Sequence, residues 1–405
     1  MRCRRREIQT AAAALLAVWI AAFAAATPAA GSQLGSLIGA QIRFAGGYSG
    51  AWVADSTTGQ PVFTSLPDVR RTPASVEKLL TTTTALERFG EDEHVKTTVR
   101  SDGQLDEDGT LEGNLYLQGF GDPSFSSSAL AVLASRVHAA GIETVEGRVF
   151  GDESYFDSRR GLPSGGFRVS SDIGPLSALS FNQGTLRGFG GGFQGNPPRF
   201  VAQRFDAWLD ARGVDVERGA RDGRTPGTAE LVASVRSPSL ATLVRSTNQP
   251  SNNYYAEMLL KGLGARFGES GSTAAGASVV ARFQKSIGAS SRVLDGSGLS
   301  RGDAISPQAV GRLLLAAKER PWFDSFYRSL PLAGRSGTLR KRMRGTAAAG
   351  RCRAKTGTLI GVSALAGYCR ARSNREFAFA LLMNGVNVAR ARAAQDRIAA
   401  ALAGS

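Results

Sequence analysis

The stretch that decides the fold is Thr72-Pro73-Ala74-Ser75-Val76-Glu77-Lys78-Leu79-Leu80, which has the composition of a helix start. Thr is a favoured N-cap residue and Pro a favoured first residue, so the helix is predicted to begin at Thr72-Pro73. Ser75 and Lys78 then lie three residues apart on one face. The backbone N–H of Ser75 has no partner within the first turn and can donate to an anion. The stretch therefore predicts a serine beside a lysine at the positive end of a helix.

The chemistry expected of this pair is activation of the serine by the amine. An uncharged lysine amine can take the hydroxyl proton, provided that burial or nearby positive charge destabilises its ammonium form. As a lone pattern, Ser-x-x-Lys occurs on many solvated helices and is informative only together with other motifs. Ser75 and Lys78 form the only such pair in the chain. We therefore predict Ser75 as the nucleophile and Lys78 as its base.

A second motif, Lys355-Thr356-Gly357, lies in a segment whose alternation predicts a strand. The lysine and the threonine hydroxyl can bind a substrate carboxylate, and the glycine lets another backbone approach closely. The amide of the next residue, Thr358, can act as a donor to an oxyanion. The motif therefore predicts a substrate that ends in a carboxylate.

The third motif is Ser-x-Asn, which occurs at 180–182, 246–248 and 251–253. The pattern alone does not choose among the three, and each is also a candidate helix cap. Ser251-Asn252-Asn253 directly precedes a predicted helix, where Ser251 can relay a proton and Asn253 can hold a substrate amide. The order Ser-x-x-Lys, Ser-x-Asn, Lys-Thr-Gly is typical of enzymes that acylate a serine without a histidine base.

Other hydrolytic centres are disfavoured by the histidines. His94 and His138 are the only two, and neither has a partner at metal-ligand spacing. The single Gly-x-Ser-x-Gly match, at 298–302, follows both histidines, whereas α/β-hydrolases place their histidine after this motif. We therefore predict no metal site, no organic cofactor and no Ser-His-Asp triad.

Residues 1–30 have the pattern of a secretory signal peptide. Four arginines before position 7 precede an apolar run over 11–26 and a small-residue exit at 27–31. The run is short for a membrane span, although an uncleaved anchor is the alternative. Both interpretations predict an exported protein, in the periplasm or in the cell wall and extracellular space, and membrane-associated if the anchor remains.

The chain is strongly basic, with a formal net charge of +15 and a pI near 10.4. Such a charge suggests nucleic acid as a partner, but export argues against it, so none is predicted. The run Arg340-Lys341-Arg342-Met343-Arg344 is suited to electrostatic contact with anionic wall polymers or a membrane surface. The alternative is a well-solvated basic surface without a specific partner.

Strand patterns at both ends of the chain enclose a mostly helical stretch. The predicted strands and the last helix are 51–54, 61–64, 350–359, 362–371, 377–384 and, for the helix, 389–402. We predict an α+β fold in which an antiparallel sheet joins the two chain ends, is flanked by helices and has a helical lobe beside it.

The length of 405 residues allows a second domain within the first. Residues 31–94 and 231–405 are predicted to form a catalytic domain, which carries the Ser-x-x-Lys, Ser251-Asn252-Asn253 and Lys-Thr-Gly motifs. Short strand-like pieces, glycine-rich turns and loops fill the stretch between them, so residues 95–230 are predicted to form an inserted β-rich domain.

Cys352 and Cys369 flank the Lys-Thr-Gly motif in a predicted hairpin. A two-residue turn at 360–361 places them opposite each other in a non-hydrogen-bonded pair, where side chains are closest. In an oxidising compartment this favours a disulfide. The alternative is a pair of small buried thiols, because Ile360 is a poor first residue for such a turn.

With these motifs the chain resembles the class C low-molecular-mass penicillin-binding proteins, which are serine-type D-alanyl-D-alanine carboxypeptidases and endopeptidases. The likeness extends over nearly all of the chain after the signal peptide. Further segments that carry it are Ala51-Trp52-Val53-Ala54-Asp55, Leu115-Tyr116-Leu117, Gly121-Asp122-Pro123, Ser177-Ala178-Leu179-Ser180, Asp295-Gly296-Ser297-Gly298-Leu299-Ser300-Arg301 and Gly337-Thr338-Leu339. One departure is Asp303, where the family usually has Asn.

The resemblance implies a penicillin-binding/β-lactamase-like transpeptidase fold for the catalytic domain over residues 31–94 and 231–405. The resemblance further implies peptidoglycan stem peptides as substrates and β-lactam antibiotics as inhibitors. It also implies roles. The implied catalytic and substrate-binding residues are Ser75, Lys78 and Ser251, followed by Asn253, Lys355, Thr356, Gly357 and Thr358. One alternative is a β-lactamase or esterase on the same scaffold, but no Glu-x-x-Leu-Asn segment supplies the second base it needs. The other is a non-catalytic wall-binding protein, against which the complete set of motifs argues.

Overall fold

The computed structural model describes residues 29–186 and 191–405. The signal peptide predicted for residues 1–30 therefore lies almost wholly outside the described residues. Within those two ranges, no helix is both long and apolar enough to cross a membrane.

The described chain contains both α-helices and strands, many of them in consecutive runs of one type. Its α-helices are α1 (Ala29–Ala45), α2 (Glu77–Phe89), α3 (Ser127–Ala139), α4 (Pro197–Asp210), α5 (Leu240–Asn248), α6 (Asn253–Phe267), α7 (Thr273–Ser286), α8 (Pro307–Lys318), α9 (Phe323–Ser329) and α10 (Val388–Gly404). Its strands are β1 (Tyr48–Asp55), β2 (Pro61–Ser65), β3 (His94–Ser101), β4 (Gln104–Leu105), β5 (Thr110–Glu112), β6 (Leu115–Gly119), β7 (Thr144–Val145), β8 (Val149–Asp152), β9 (Asp215–Val216), β10 (Ala220–Asp222), β11 (Glu230–Ser239), β12 (Ser291–Arg292), β13 (Ala304–Ile305), β14 (Cys352–Leu359), β15 (Val362–Arg370) and β16 (Glu376–Asn384).

The main sheet has the order β14-β15-β16-β1-β2, and each neighbouring pair is antiparallel. Strand β1, from the first part of the chain, lies between β2 and β16, with Tyr48 opposite Asn384. The predicted antiparallel sheet that joins the chain ends is therefore confirmed. Strand β14, which carries the Lys-Thr-Gly motif, forms one edge.

Both faces of the main sheet are buried, because successive side chains of a strand point to opposite faces. One face, which includes Val53 and Phe379, packs against α1 and α10. The other, which includes Trp52 and Tyr368, packs against the helical lobe built from α2 and α5–α9. The lobe thus brings α2 and α6 next to the edge strand.

A second sheet, of order β10-β8-β6-β3-β11, is mixed. Its pairs β10·β8 and β8·β6 are parallel, whereas β6·β3 and β3·β11 are antiparallel. A small sheet of order β4-β5-β7-β9 continues this part of the chain. Helices α3 and α4 fill its core with side chains such as Leu130, Val137, Val201 and Phe205. This part therefore combines two sheets with two packed helices.

The division of the chain at 95 and 230 stays a prediction, but the second sheet extends past both positions. Strand β3 begins at His94 and β11 ends at Ser239. Helix α4 also lies in a stretch predicted to be loop. Its local signal is clear in retrospect, because Asn196 caps the helix by accepting from the amide of Arg199, and prolines occupy the first turn.

Cys352 and Cys369 lie directly opposite each other at the open end of the β14–β15 hairpin, with their Cα atoms 4.1 Å apart. This spacing is that of a non-hydrogen-bonded pair. The two residues are buried and joined by a disulfide. The bond therefore fastens the edge strand to its neighbour three residues before Lys355.

Replacement of both cysteines by alanine should destabilise the fold. The disulfide closes a loop with a sequence separation of 17, for which the entropic stabilisation is about 3 kcal/mol. Urea unfolding of the oxidised protein and of Cys352→Ala/Cys369→Ala measures the difference. Wild-type protein kept reduced is the control and should unfold with the double variant. Equal unfolding midpoints for oxidised wild type and the variant would contradict this assignment.

Candidate active site

Ser75 lies in a single 3₁₀ turn, Ala74–Val76, immediately before α2. The helix start predicted at Thr72 is wrong, because Ala74 has a φ of +48° and interrupts the helical path. Thr72 bonds elsewhere: its amide donates to Oδ1 of Asn384 at 2.9 Å, and its hydroxyl donates to the carbonyl of Arg301 at 3.1 Å. The nucleophile is therefore presented on a tight turn at the N-terminal end of α2.

Two non-glycine residues of the site adopt left-handed backbone conformations, Ala74 at φ +48° and Ser251 at φ +62°. Each costs about 1 kcal/mol or more and persists only where packing enforces it. A Cβ on Gly298 would lie 1.9 Å from the carbonyl oxygen of Ala74, so the loop that contains Gly298 is pressed against the nucleophile turn. Packing of this kind holds the turn in its strained form.

The amine of Lys78 is fully buried and has three neighbours. Its Nζ lies 3.0 Å from Oγ of Ser75, 2.6 Å from Oδ1 of Asn253 and 2.6 Å from the carbonyl oxygen of Ser297. The last two atoms can only accept hydrogen bonds. A neutral amine has two N–H groups and one lone pair, so donation to Asn253 and Ser297 leaves the lone pair for the hydroxyl of Ser75. The geometry therefore suits proton transfer from Ser75 to Lys78.

The electrostatic environment makes this neutral form accessible. Burial lowers the pKa of Lys78 to about 8, although the carboxylates of Asp295, Glu257 and Glu77 oppose the change. At pH 7 about one amine in ten is then neutral, compared with about one in three thousand at the ordinary value of 10.5. Desolvation thus increases the fraction of competent base by more than two orders of magnitude.

The Ser-x-Asn motif that reaches this centre is Ser251-Asn252-Asn253. Oγ of Ser251 accepts from Nζ of Lys355 at 2.8 Å, and Asn253 contacts Lys78 as described. Nδ2 of Asn253 donates to the carbonyl of Asp172 at 3.1 Å, which fixes the amide with its oxygen towards the lysine. Residues 251 and 253 therefore each contact one of the two buried lysines of the site, Lys355 and Lys78.

The middle residue and the competing motif at 246–248 have structural roles. Asn252 caps α6, since its Oδ1 accepts from the amide of Tyr255 at 3.1 Å. Asn248 is buried and donates to the hydroxyls of Thr82 and Ser329, so the motif at 246–248 ties α5 to α2 and α9. The structure thus makes the choice that the sequence pattern leaves open.

Lys355 is fully buried on the edge strand and donates to Oγ of Ser251 and, at 2.9 Å, to the carbonyl of Thr356. Burial, and then the charge of Lys78, hold the pKa of Lys355 well below its usual range. The hydroxyl of Thr356 lies 2.7 Å from that of Thr338. An amine and two hydroxyls therefore line this wall of the site.

Gly357 and Thr358 bring the edge strand against the nucleophile turn. A Cβ on Gly357 would lie 2.5 Å from the carbonyl oxygen of Pro73, so only glycine fits without displacement. The amide of Ala354 points away from β15 and donates to Pro331 at 2.9 Å. Alternation of the ladder directs the amide of Thr358 to the same open edge. This amide and that of Ser75 are the candidate oxyanion donors.

Three contributors to the site were not predicted individually: the carbonyls of Ser297 and Asp172 and the side chain of Glu257. The first two act through backbone atoms, which leave no residue-type signal in a sequence. Glu257 lies four residues after Asn253, a spacing that places both on one face of α6. That spacing is the signal that could have found it.

A cavity of about 680 Å³ opens beside Ser251 and Asn253. Its walls come from the segments 171–174, 182–185, 192–193 and 250–254. Apolar side chains such as Ile173 and Phe193 alternate there with amide groups such as that of Gln183. The cavity therefore offers space for an extended chain next to the reacting groups.

The profile of the D-Ala-D-Ala carboxypeptidase 3 (S13) family matches residues 33–185 and 194–404. The D-alanyl-D-alanine carboxypeptidase of Actinomadura sp. is 30% identical, over 88% of this chain and 81% of that protein. Carboxypeptidase DacB of Mycolicibacterium smegmatis is 29% identical, over 86% and 79% of the two chains. The chain belongs to the S13 family, and its enzyme class is that of the serine-type peptidases.

Solved structures agree on the fold. Penicillin binding protein 4 (dacB) from Haemophilus influenzae superposes with a TM-score of 0.78 at 19% identity, over 89% of this chain and 97% of that one. The predatory peptidoglycan endopeptidase Bd3459 from Bdellovibrio bacteriovorus gives 0.52 at 19% identity, over 83% and 85%. The predicted penicillin-binding fold is therefore confirmed.

Proposed function

We propose that this chain hydrolyses the bond between two D-alanines at the end of peptidoglycan stem peptides, through an acyl-enzyme on Ser75. The observation that carries the proposal is the arrangement around Lys78, whose two acceptors leave its lone pair for Oγ of Ser75. Membership of the D-Ala-D-Ala carboxypeptidase 3 family supports the substrate class.

Acylation begins as Oγ of Ser75 attacks the carbonyl carbon between the alanines and its proton passes to Lys78. The carbonyl oxygen becomes an anion, which the amides of Ser75 and Thr358 stabilise. The C–N bond then breaks, and the proton held by Lys78 passes to the leaving amine through the hydroxyl of Ser251, which takes up one proton as it gives up another, so that Lys78 is neutral again. Water later attacks the ester and restores Ser75. Asn253 orients the stem peptide beside the nucleophile.

The terminal carboxylate of the substrate lies against Lys355 and the hydroxyl of Thr356. Without substrate, burial and the neighbouring Lys78 disfavour the charged form of Lys355, whose pKa is well below its usual range. An incoming carboxylate replaces the lost hydration with an opposite charge and favours the ammonium form. Substrates without a carboxylate therefore forgo this ion pair.

The rate of acylation by penicillin should rise about tenfold per pH unit below about pH 8 and level off above it. The reason is that only neutral Lys78, with a pKa of about 8, takes the serine proton, and this form is lost as pH falls through that value. Intact-mass spectrometry at timed intervals between pH 6 and 9.5 gives the rate. The final adduct yield serves as the control for folding and should stay constant. A rate that does not change with pH would refute Lys78 as the base.

Function is tested by supplying a stem pentapeptide and a cross-linked muropeptide and measuring free D-alanine and cleaved cross-links. Release of D-alanine supports the carboxypeptidase, and cleavage of the cross-link adds endopeptidase action. Rapid turnover of penicillin without peptide cleavage would instead identify a β-lactamase or esterase. A folded protein that forms no adduct and cleaves nothing would identify a non-catalytic binder.

β-Lactams are proposed as inhibitors, because their acyl group mimics the stem peptide end. One solved structure of penicillin binding protein 4 from Haemophilus influenzae is complexed with a β-lactam, which supports this. The proposed location is outside the cytoplasm, supported by the pattern of residues 1–30. The exposed basic residues of the 340–344 run are proposed to contact anionic wall polymers or membrane head groups there.

A further inference from the structure

The loop 294–300 connects the helical lobe to the reacting groups and presents carbonyl groups to α2. The carbonyl of Ser297 accepts from Nζ of Lys78, and that of Gly296 accepts from the hydroxyl of Thr81 at 2.9 Å. A Cβ on Gly296 would lie 2.7 Å from the carbonyl of Ala256, so the loop also rests on α6. Its position therefore determines where one acceptor of the base lies.

Glu257 holds this loop from the α6 side. Its Oε1 accepts from the amide of Gly296 at 3.0 Å and from that of Ser297 at 2.8 Å. The side chain is fully buried, and its other oxygen has no partner among the described residues. Burial of a carboxyl group costs free energy unless the group is hydrogen-bonded. Here it holds the two amides that precede the Ser297 carbonyl, while the amide of Gly298, which shares a peptide unit with that carbonyl, donates to Oδ1 of Asp295 at 2.6 Å.

We propose that Glu257 is a positioning residue for the base: it fixes the backbone of Gly296 and Ser297, and thereby the place of the Ser297 carbonyl that accepts one N–H of Lys78. Asn253, one turn earlier on α6, accepts the other N–H. One helix thus occupies both N–H groups of the neutral amine, once directly and once through the loop. The lone pair is left with a single direction, towards Ser75. The inference rests on the proposed role of Lys78.

Several charged groups surround Lys78 and enter any test by pH. Glu77 lies on its own helix, Glu257 on α6, Asp295 in the loop and Lys355 on β14. Burial, and then Asp295, raise the pKa of Glu257 to about 8. Around neutrality its negative charge is therefore partly present, and this charge favours the ammonium form of Lys78.

Asp303 provides a matched control. It is buried in the same region, and its Oδ1 accepts one amide, that of Leu294, at 2.7 Å. Burial, followed by Glu77 and Asp295, raises its pKa to about 11, so it is neutral at working pH. An acid-to-amide change at Asp303 therefore alters the same carboxyl cluster without touching the Gly296–Ser297 peptide.

The test compares full-length wild type, Glu257→Gln, Glu257→Ala and Asp303→Asn by the rate of penicillin acylation per competent site, from pH 6 to 9.5. The final adduct yield counts competent sites. Glu257→Ala should lose about tenfold or more of the high-pH plateau rate per site, because the base is no longer aimed. Glu257→Gln keeps an acceptor for both amides and should stay within about threefold.

The pH midpoint supplies a second readout that a merely structural role would not move. Removal of the Glu257 charge should shift the midpoint of Glu257→Gln to lower pH by about half a unit. Asp303→Asn should keep both the wild-type midpoint and the wild-type plateau. If Glu257→Ala does not fold, the pH midpoint of the acylation rate in Glu257→Gln still tests the proposal.

Two results would overturn the proposal. One is a lower adduct yield in Glu257→Ala with an unchanged rate per site, which would mark a purely structural residue. The other is a Glu257→Gln midpoint equal to that of wild type, or a shift that Asp303→Asn reproduces. Failure of the proposed function is distinct from both, because wild type itself would then form no adduct on Ser75.

Discussion

Ser75→Ala should abolish the penicillin adduct and lower the release of D-alanine by about 10⁴-fold or more. The change removes the only atom that forms the ester, Oγ, whereas the 3₁₀ turn depends on the packing of Ala74 against the Gly298 loop. Alanine fills the same space without a new contact, so the fold should be retained. Intact mass before and after penicillin, followed by peptide mapping, measures the loss.

The control is the same substitution in a competing motif. Ser246 lies on α5, in the Ser-x-Asn motif whose asparagine ties helices together rather than reaching a lysine. Ser246→Ala should form the adduct at the wild-type rate. An adduct on Ser75→Ala, at any residue and with a comparable rate, would show that the nucleophile lies elsewhere.

Lys78→Met should slow acylation by about 10³-fold, the contribution expected of a positioned base. Methionine has nearly the same length but no amine, so the hydroxyl of Ser75 loses its proton acceptor. Oδ1 of Asn253 and the carbonyl of Ser297 also lose their shared donor, at a cost of about 1–3 kcal/mol in stability. The rate must therefore be measured per folded molecule, with the folded fraction taken from circular dichroism.

Lys261→Met separates the loss of a base from the loss of a buried cation. Lys261 is as buried as Lys78 and lies on α6, but its amine pairs with Asp157. Its replacement should lower the stability while the acylation rate per folded molecule stays unchanged. Should Lys78→Met acylate within tenfold of wild type, another group must take the proton.

Much of the site could be predicted because its key side chains come in short motifs with fixed spacing. Ser75 and Lys78 share a helix start, and Lys355 and Thr358 share a strand. The sheet could be predicted too, because the alternation of apolar and polar residues at both ends of the chain indicates strands, and strands need neighbouring strands to bond with. In the structure, β1 pairs with β16. The Ser-x-x-Lys spacing was enough to predict Ser75 as the nucleophile. It did not predict the 3₁₀ turn that carries Ser75.

The remainder depends on tertiary contacts that no local pattern encodes. The φ of Ala74 is imposed by the loop around Gly298, more than two hundred residues later in the chain. For this reason α2 begins at Glu77 and not at Thr72 as predicted. The choice among the Ser-x-Asn motifs also depended on which of them approaches both lysines. Every residue has a backbone carbonyl, so the residue type does not reveal which carbonyl, such as that of Ser297, acts as an acceptor in the site.

The pairing of β1 with β16 has a consequence for how the protein matures. Tyr48 lies opposite Asn384, so β1 must wait for a strand that is synthesised more than three hundred residues later. Contacts this distant in sequence form slowly. A polypeptide cut short before residue 376 lacks the central strand of the main sheet and cannot hold the edge strand β14 against the nucleophile turn. The reacting groups are therefore assembled only after β16 has been made, and chains that stop before it should be inactive.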